Sequence, residues 1–566
     1  MPLKISSITS RSGQTVHLNM INVLVGSNNV GKSQVLKDVR DYLKTGSLNY
    51  MKVLKHIDIT LPTEPEAFKK VQVLPNLHAP GHIRYLGVGC DLKNRYESSV
   101  QEKWHEIFGR GEDPNRTSEI LKILGNFLVA YLDAEGRFSL ASPSEAYDTR
   151  EESPSNALQQ FFAADLRARE SLRSAFKDAF QMDIALDWAA MRRFYLKVGK
   201  DFGEISNDQK KLDALLRDAD QLSEQGDGYK SFAGVALSLL SFSDRVLLLD
   251  EPEAFLHPAQ AKILGRWVAK QAVENDIQLV IASHSADFLS GVLSAYPDAN
   301  IVRINRVLND TRLHVIPVES AKELVSSPLL SSQPVVDALF HRGVVICEGD
   351  PDRAVYQAVS QRAPNTNPGG ELLFIHSNGK DAARIPLKLM RDSDIPASVI
   401  VDIDVINSAA VLQGLYEVAA GVPMPQDLID LQKSISAHVD ELPEERLLSD
   451  LKASIADWVT VSHTDLRSAR RTLGSIRKQQ TNWTAVKRLG VNYFEEPIKS
   501  QVQSLINGLK IVGVFIVPAG ELESWFDFQV SKGASWNRLA LEKIHQGKAP
   551  VKLDAFIDEV NQYLLP

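Results

Sequence analysis

The sequence predicts an α/β protein of more than one domain, built on parallel sheets, and three observations carry that expectation. Short runs of Val, Ile and Leu recur along the chain and each breaks into polar residues: 20–25 (MINVLV), 246–249 (VLLL), 279–282 (LVIA), 344–347 (VVIC), 399–401 (VIV) and 513–517 (GVFIV). Runs this short and this apolar suit strands buried on both faces of a parallel sheet. The chain has 566 residues, too many for one hydrophobic core. A Ser/Pro-rich joint, SSPLLSSQP at 326–334, separates the first three runs from the last three. The predicted boundaries are 1–325 for the first domain, 326–340 for a linker and 341–566 for the second.

Bulk composition excludes several classes. With 44% hydrophobic and 24% charged residues, the chain reads as an ordinary soluble globular protein. The opening MPLKISSITSRSG has no apolar stretch of signal-peptide length, and no run reaches the ~18 apolar residues of a membrane span. Cys90 and Cys347 lie far apart with no CxxC or Cys/His cluster, so neither a zinc module nor a disulfide framework is expected. A reducing cytoplasm and no membrane association follow as the expected setting. The net charge of −8 argues against a protein that coats nucleic acid, while leaving room for a local basic track.

In chain order, residues 4–9 and 15–18 alternate around Ser12-Gly13-Gln14 and read as a hairpin. The strand 20–25 then runs into Gly26-Ser27-Asn28-Asn29-Val30-Gly31-Lys32-Ser33, with a helix expected over 34–43. This is G-x-x-x-x-G-K-S in the setting its chemistry requires, a strand before and a helix after. Gly26, Asn28, Asn29 and Gly31 form the loop that wraps phosphates at a helix N-terminus. Lys32 is placed to reach the β- and γ-phosphates of a nucleotide, and the Ser33 hydroxyl to ligate Mg²⁺. Much later, 246–249 ends in Asp250-Glu251-Pro252: Asp250 is expected to hold Mg²⁺ through water, and Glu251 to orient or deprotonate the attacking water. The strand 279–282 ends in Ser283-His284-Ser285, where His284 reads as a γ-phosphate sensor or as a structural histidine.

The phosphate loop, the long interval, VLLLDEPEAFLHP and then IASHS resemble the ABC-type ATPase heads of the RecF, Rad50 and SMC class. The resemblance implies two heads sandwiching ATP, hence a homo-oligomer, dimer or higher. Residues 225–231 (QGDGYKS) stand where such heads carry a serine-glycine signature, but the order differs from LSGGQ; a loop capping the next helix is the alternative. A helical insertion is expected over about 150–225. There Leu158, Phe162, Leu166, Leu172, Phe176 and Phe180 fall at helical spacing, either as core packing or as a dimerisation arm. Arg167, Arg169, Arg173, Arg192, Arg193 and Lys197 make this stretch basic, which a solvated helix face also explains.

The second domain opens on VVICEGDPD (344–352), read together with VIVDID (399–404). Glu348 ends one strand, with Asp350 and Asp352 in the turn into a helix. Asp402 and Asp404 sit two apart, the spacing that points side chains to one face of a strand. Carboxylates collected past the carboxyl ends of parallel strands repel one another unless a cation sits among them, and hard oxygen ligands suit Mg²⁺ or Mn²⁺. An Asp/Pro turn and a helix cap are the plainer readings of the two segments. Lys380, in Ser377-Asn378-Gly379-Lys380, offers a cation nearby. Further on, 513–517 leads to Glu521 and Glu523, which repeat the two-residue spacing, with Lys532 and Trp536 beyond.

EGDPD, NGK and DID together resemble a Toprim domain. An ABC-type head joined to such a domain, with the late GELESWF, is similar to the OLD (overcoming lysogenisation defect) nucleases, a family that includes the Gabija nuclease and retron-associated effectors. The resemblance implies that Glu348, Asp352, Asp402, Asp404, Glu521 and Glu523 ligate divalent metal for DNA cleavage. It also places Lys380 and Lys532 near the scissile phosphate. ATP-regulated endonuclease activity in antiphage defence follows as an expectation, with DNA, a defence partner protein or a retron RNA/DNA as partners. A second helical insertion is expected over about 405–500. Within it, 464–488 carries Arg467, Arg470, Arg471, Arg477, Lys478, Lys487 and Arg488 against Asp465 alone, with Trp483 and Tyr493 for stacking. That is either a DNA track or a solvated helix face. The competing functions are a non-catalytic ATP-driven clamp or recombination mediator, and a Toprim topoisomerase or primase. No separate DNA-binding module carrying a tyrosine nucleophile is evident for the former of these enzymes, and no zinc module for the latter.

Overall fold

The computed structural model describes residues 3–565, except 69–70, 76–81, 93, 101–107, 110–114, 151, 153, 242–244, 308–309, 327–332, 364, 442–443, 461–464, 467–468, 471–472, 474–481, 529 and 531. It divides into two compact units, Met1–Phe340 and His341–Pro566.

The first unit is organised on a six-stranded sheet. Its order is Asp310–Val315, Asn300–Val307, Ile21–Val25, Gln278–Ala282, Val246–Asp250, Val129–Leu132. All neighbours are parallel except the first pair, an antiparallel edge. Ile21–Val25 and Gln278–Ala282 are buried along their whole length, as central strands with covered faces must be. Val35, Leu36, Val39 and Leu43 of helix Lys32–Thr45 share one core with Leu24, Leu248 and Val280. The expected hairpin is present: Lys4–Ser10 pairs with Thr15–His17 and, on its other edge, with Leu54–Thr60.

The helix after the phosphate loop is tied down by a buried carboxylate. Asp38 Oδ2 accepts from the backbone N–H groups of Lys52 (2.9 Å), Val53 (2.7 Å) and Leu54 (2.9 Å), and the residue is fully buried. Asp38→Ala leaves the buried Leu54 N–H and the part-buried Lys52 and Val53 N–H groups without their acceptor, and one buried unsatisfied donor alone costs about 1–3 kcal/mol. We expect a stability loss of about 2–3 kcal/mol, read by chemical denaturation.

The interval expected as a helical insertion is mixed. Helices Ala157–Ala163, Leu166–Phe180 and Gln209–Leu216 are present, but so is an antiparallel pair, Asp183–Asp187 with Arg193–Gly199, edged by Ser144–Glu145 and Asp220–Gln221. The run Phe194-Tyr195-Leu196-Lys197-Val198 is rich in aromatic and β-branched residues and favours a strand. The apolar stripe is largely core: Leu158, Leu172 and Phe176 are buried, and Phe176 and Phe180 pack with Tyr229 and Phe232. Leu166, by contrast, is exposed. Two of the basic residues are internal. Arg173 makes a bidentate pair with the buried Asp183 (3.0 and 2.8 Å), and Lys197 Nζ donates to the Ala219 carbonyl (2.8 Å).

Where a linker was expected, helix Val318–Ser326 and a short helix Gln333–Asp337 flank 327–332, which lie outside the described residues. The second unit is a four-stranded parallel sheet, in the order Leu372–His376, Gly343–Cys347, Ala397–Val401, Val514–Ile516. Helix Asp350–Ser360 follows the first acidic strand, with Pro351 in its first turn. Val345, Tyr356, Ile400, Phe515, Trp525, Trp536 and Phe556 form the core that holds the late GELESWF segment and the C-terminal helices on the sheet. Residues 405–500 contain helices Ala409–Ala420, Gln426–Asp440, Glu444–Thr460 and Asn482–Leu489.

Candidate functional site

Two sites form, one in each unit, and both lie where parallel strands end. In the first unit the phosphate loop, Asp250 and His284 follow three adjacent strands, Ile21–Val25, Val246–Asp250 and Gln278–Ala282, the position at which such sheets bind ligands. Gly26 has φ +143°, and a Cβ there would lie 2.3 Å from the Ile304 carbonyl oxygen, so only glycine fits. Asn28 and Asn29 are exposed on the loop, and Gly31 caps helix Lys32–Thr45 with φ +106°. Lys32 is buried, and its ammonium donates to the carbonyls of Gly26 (2.7 Å) and Ser27 (2.8 Å) inside its own loop. Burial pulls it down to about 8, against Glu251, Glu253 and Asp250, which act to raise it.

Ser33 Oγ donates to Asp250 Oδ1 (2.8 Å), which joins the two expected Mg²⁺ ligands across the fold. Three partners of this cluster escaped the sequence reading. Tyr131 donates to Asp250 Oδ2 (3.0 Å). The buried Arg137 donates from Nη1 to the Asp250 carbonyl (2.7 Å) and from Nε to Ser231 Oγ (2.9 Å). Glu253 accepts from Ser283 Oγ and the His284 N–H, both at 2.8 Å, and burial raises its pKa. Tyr131 and Arg137 come from an interval with no recognisable motif; Glu253 stands in DEPE, where the acid two residues after Glu251 was the available signal. Ser231, the serine of the signature position, is fully buried against Arg137, and 227–231 begin helix Asp227–Ser241, so this serine is not presented outward.

Glu251 adopts φ +50°, and its Oε1 lies 3.3 Å from His284 Nε2. Burial, with the Lys32 ammonium second, pushes the His284 imidazole from 6.5 down to about 4, so the contact is that of a neutral ring. A histidine with a depressed pKa stabilises the fold fully above pH 6.5, and that stability drains as pH falls toward 4. The wild-type melting temperature should therefore fall more steeply than that of His284→Gln between pH 6.5 and 4, in thermal unfolding at constant ionic strength.

In the second unit, Glu348, Asp402 and Asp404 each bring a carboxylate oxygen into one group, all within 4.8 Å of one another. Glu348 follows strand Gly343–Cys347, and its Oε1 accepts the Asp402 N–H (3.0 Å). The reason for the Asp402/Asp404 convergence differs from the expected one. Strand Ala397–Val401 ends before them, and Asp402 starts a 3₁₀ turn, Ile403–Asn407, that contains Asp404. Turn geometry, not strand alternation, gathers the pair. Burial and the neighbouring Asp402 charge raise Glu348 to about 7, and the same two causes raise Asp352 to about 6. Asp402 is raised as well, by burial first.

The other expected ligands stand around this trio. Asp352 accepts the Gly349 N–H (3.1 Å) at the start of its helix. Glu521, just before the 3₁₀ turn Leu522–Trp525, and Glu523, within it, both meet Lys532 Nζ, at 3.4 and 3.0 Å. Asp350 pairs with Arg353 (2.7 Å) and holds the turn. Lys380 Nζ lies 2.9 Å from Asp404 Oδ2. Lys487, expected on a DNA-facing track, instead turns onto Asp402 Oδ2 (2.8 Å). Trp483 is also withdrawn from stacking: it is buried, with Nε1 donating to Asp440 Oδ1 (2.9 Å). Arg470 and Arg488 are exposed, and Tyr493 is half-buried. Arg467, Arg471, Arg477 and Lys478 lie outside the described residues.

The fit to a hard divalent cation is chemical. The trio offers only oxygen donors, and Asp404 Oδ1 is buried without a hydrogen bond. Among the described residues no helix is long and apolar enough to cross a membrane.

Residues 125–290 match the family model "AAA domain, putative AbiEii toxin, Type IV TA system", a span that begins after the phosphate loop and includes Asp250, Glu251 and His284. Residues 339–404 match "Overcoming lysogenization defect protein-like, TOPRIM domain", which includes Glu348, Lys380, Asp402 and Asp404 and ends before Glu521. An uncharacterised protein of Methanocaldococcus jannaschii, MJECL11, is 31% identical over 68 residues, 12% of this chain and 60% of that protein. Similar solved structures include an Smc head bound to the C-terminal winged-helix domain of ScpA (14% identity, 56% of this chain and 99% of that chain, TM-score 0.34). Another is the SMC head domain of Thermotoga maritima (14% identity, 56% and 100%, TM-score 0.29). The chain is thus an ATPase domain followed by an OLD-like Toprim domain, the order of the OLD-family architecture.

Proposed function

We propose that this ATPase–Toprim chain is a divalent-metal-dependent DNA endonuclease, acting as a homo-oligomer in antiphage defence, whose cutting is governed by ATP at the first domain. The observation that carries the reading is the Glu348–Asp402–Asp404 group at the strand ends of the OLD-like Toprim domain, with lysines on two of its three carboxylates.

In this reading Glu348, Asp402 and Asp404 hold Mg²⁺ or Mn²⁺, with Asp352, Glu521 and Glu523 as further ligands or as acceptors that orient water. The bound cation supplies charge neutralisation for in-line displacement at a phosphodiester. Lys380 and Lys532 exchange their carboxylate partners for phosphate oxygens and offset charge that develops there. Arg470 and Arg488 contact the DNA backbone without reading sequence, which makes affinity fall as salt rises. In the ATPase domain, Gly26, Asn28, Asn29, Gly31 and Lys32 cradle the phosphates, and Ser33 with Asp250 holds Mg²⁺. Glu251 orients water, and His284, as a neutral ring, reads the γ-phosphate through a hydrogen bond.

A matrix of Mg²⁺ or Mn²⁺ against ATP, ADP and no nucleotide, read on supercoiled plasmid, tests this. Nicked or linear product that depends on metal supports the nuclease. Plasmid left supercoiled in every cell of the matrix, with DNA nonetheless bound, points instead to an ATP-driven clamp. Relaxed closed circles would indicate strand passage.

A further inference from the structure

The acidic group already contains a cation of the chain's own, and it comes from the helical insertion. Lys487 Nζ lies 2.8 Å from Asp402 Oδ2 and 3.8 Å from Asp404 Oδ1, so one ammonium spans two of the three converging carboxylates. Lys380 takes the other Asp404 oxygen, Oδ2, and leaves Oδ1 without a hydrogen bond. An ammonium and a divalent cation at this place compete for the same oxygens.

The backbone under Lys487 is fixed. A Cβ at Gly520 would lie 2.0 Å from the Lys487 carbonyl oxygen, and one at Gly490 would lie 2.2 Å from the Pro518 oxygen, so the two segments touch main chain to main chain. The Val491 N–H donates to the Pro518 carbonyl (2.9 Å), and Ser524 Oγ to the Arg488 carbonyl (2.8 Å). Helix Asn482–Leu489 is thereby clamped to the loop that carries Glu521 and Glu523. The ammonium, on its flexible four-carbon stem, is the part free to move.

We propose that Lys487 is a built-in counter-ion: it holds Asp402 and Asp404 together when no divalent cation is present, and it is displaced when one binds. It thereby sets the metal affinity of the site. This rests on the reading that Glu348, Asp402 and Asp404 hold a divalent cation. Two consequences follow. Without the ammonium, the metal-free carboxylates repel one another and the Toprim unit is less stable. Without the competitor, the metal binds more tightly.

The test is calorimetric titration of Mn²⁺ into the full chain as wild type, Lys487→Gln, Lys487→Met (which keeps the apolar stem) and Lys487→Arg, with melting temperatures in EDTA and in Mn²⁺. Loss of one partly buried competing charge should tighten Mn²⁺ binding about tenfold in the Gln and Met variants. Their melting temperatures should fall in EDTA, and their gain on adding Mn²⁺ should exceed that of wild type. Lys487→Arg, which keeps the charge, should bind no more tightly than wild type. Unchanged or weaker Mn²⁺ binding by a folded Gln or Met variant, beside a wild type that binds, overturns the counter-ion and leaves the metal site standing. A wild type that takes up no Mn²⁺ overturns the metal site, and the counter-ion with it.

Discussion

Glu348→Gln should abolish metal-dependent plasmid nicking, by about three orders of magnitude in rate, because several kcal/mol of charge stabilisation at the phosphate depend on the ligand set. The substitution is chosen for what it keeps. A glutamine carbonyl can still accept the Asp402 N–H that Glu348 Oε1 accepts at 3.0 Å, so the approach of the two strand ends is retained. What it removes is one negative charge from a group whose oxygens lie within 4.8 Å. Because burial and the Asp402 charge raise Glu348 to about 7, the variant should be no less stable than wild type in EDTA near neutral pH. The measurement is a time course of supercoiled plasmid in Mn²⁺ with a thermal melt in EDTA beside it. A variant that nicks within tenfold of wild type would remove Glu348 from the reaction.

Lys32→Ala should erase the nucleotide response. Wild type at ATP concentrations 100-fold above its Kd gains about 2.7 kcal/mol of stability by mass action, and the variant should gain almost none. The Lys32 ammonium is buried on the Gly26 and Ser27 carbonyls, and burial holds it down to about 8. Its removal therefore relieves a desolvated charge and should leave the unliganded fold close to wild-type stability. Mn²⁺ binding by the same variant should be unchanged, since Lys32 belongs to the first compact unit and the acidic group to the second. Differential scanning fluorimetry with ATP–Mg²⁺ and with Mn²⁺ alone separates the two responses.

The parallel strands and the loops at their ends were legible because each is a local apolar run followed by residues with restricted backbone demands. The phosphate loop, Asp250 and the Glu348–Asp402–Asp404 group were placed from such runs. Position within a turn was not legible: Asp402 and Asp404 converge through a 3₁₀ turn that two-residue spacing imitates. Nor was the antiparallel pair Asp183–Asp187 and Arg193–Gly199, because its neighbouring helix supplies the stronger periodic signal. Long-range polar partners were the least legible. Lys487 sits in a run of basic residues that reads as a solvated or DNA-facing surface, yet its ammonium turns onto Asp402. Trp483 reads as a stacking platform, yet Asp440, distant in sequence, accepts its indole N–H. Charge density along a chain says nothing about which member of a cluster turns inward.

The contact between Gly490 and the loop at Gly520 also constrains how this domain can diversify. A helical insertion is ordinarily the part of a protein most freely exchanged between relatives, as it adds surface without disturbing the sheet. Here its last turn shares a seam with the segment bearing Glu521, and neither side of that seam has room for a single methyl group. A chimaera that takes its insertion from another protein would have to inherit both glycines together, or lose the alignment of its late acidic pair.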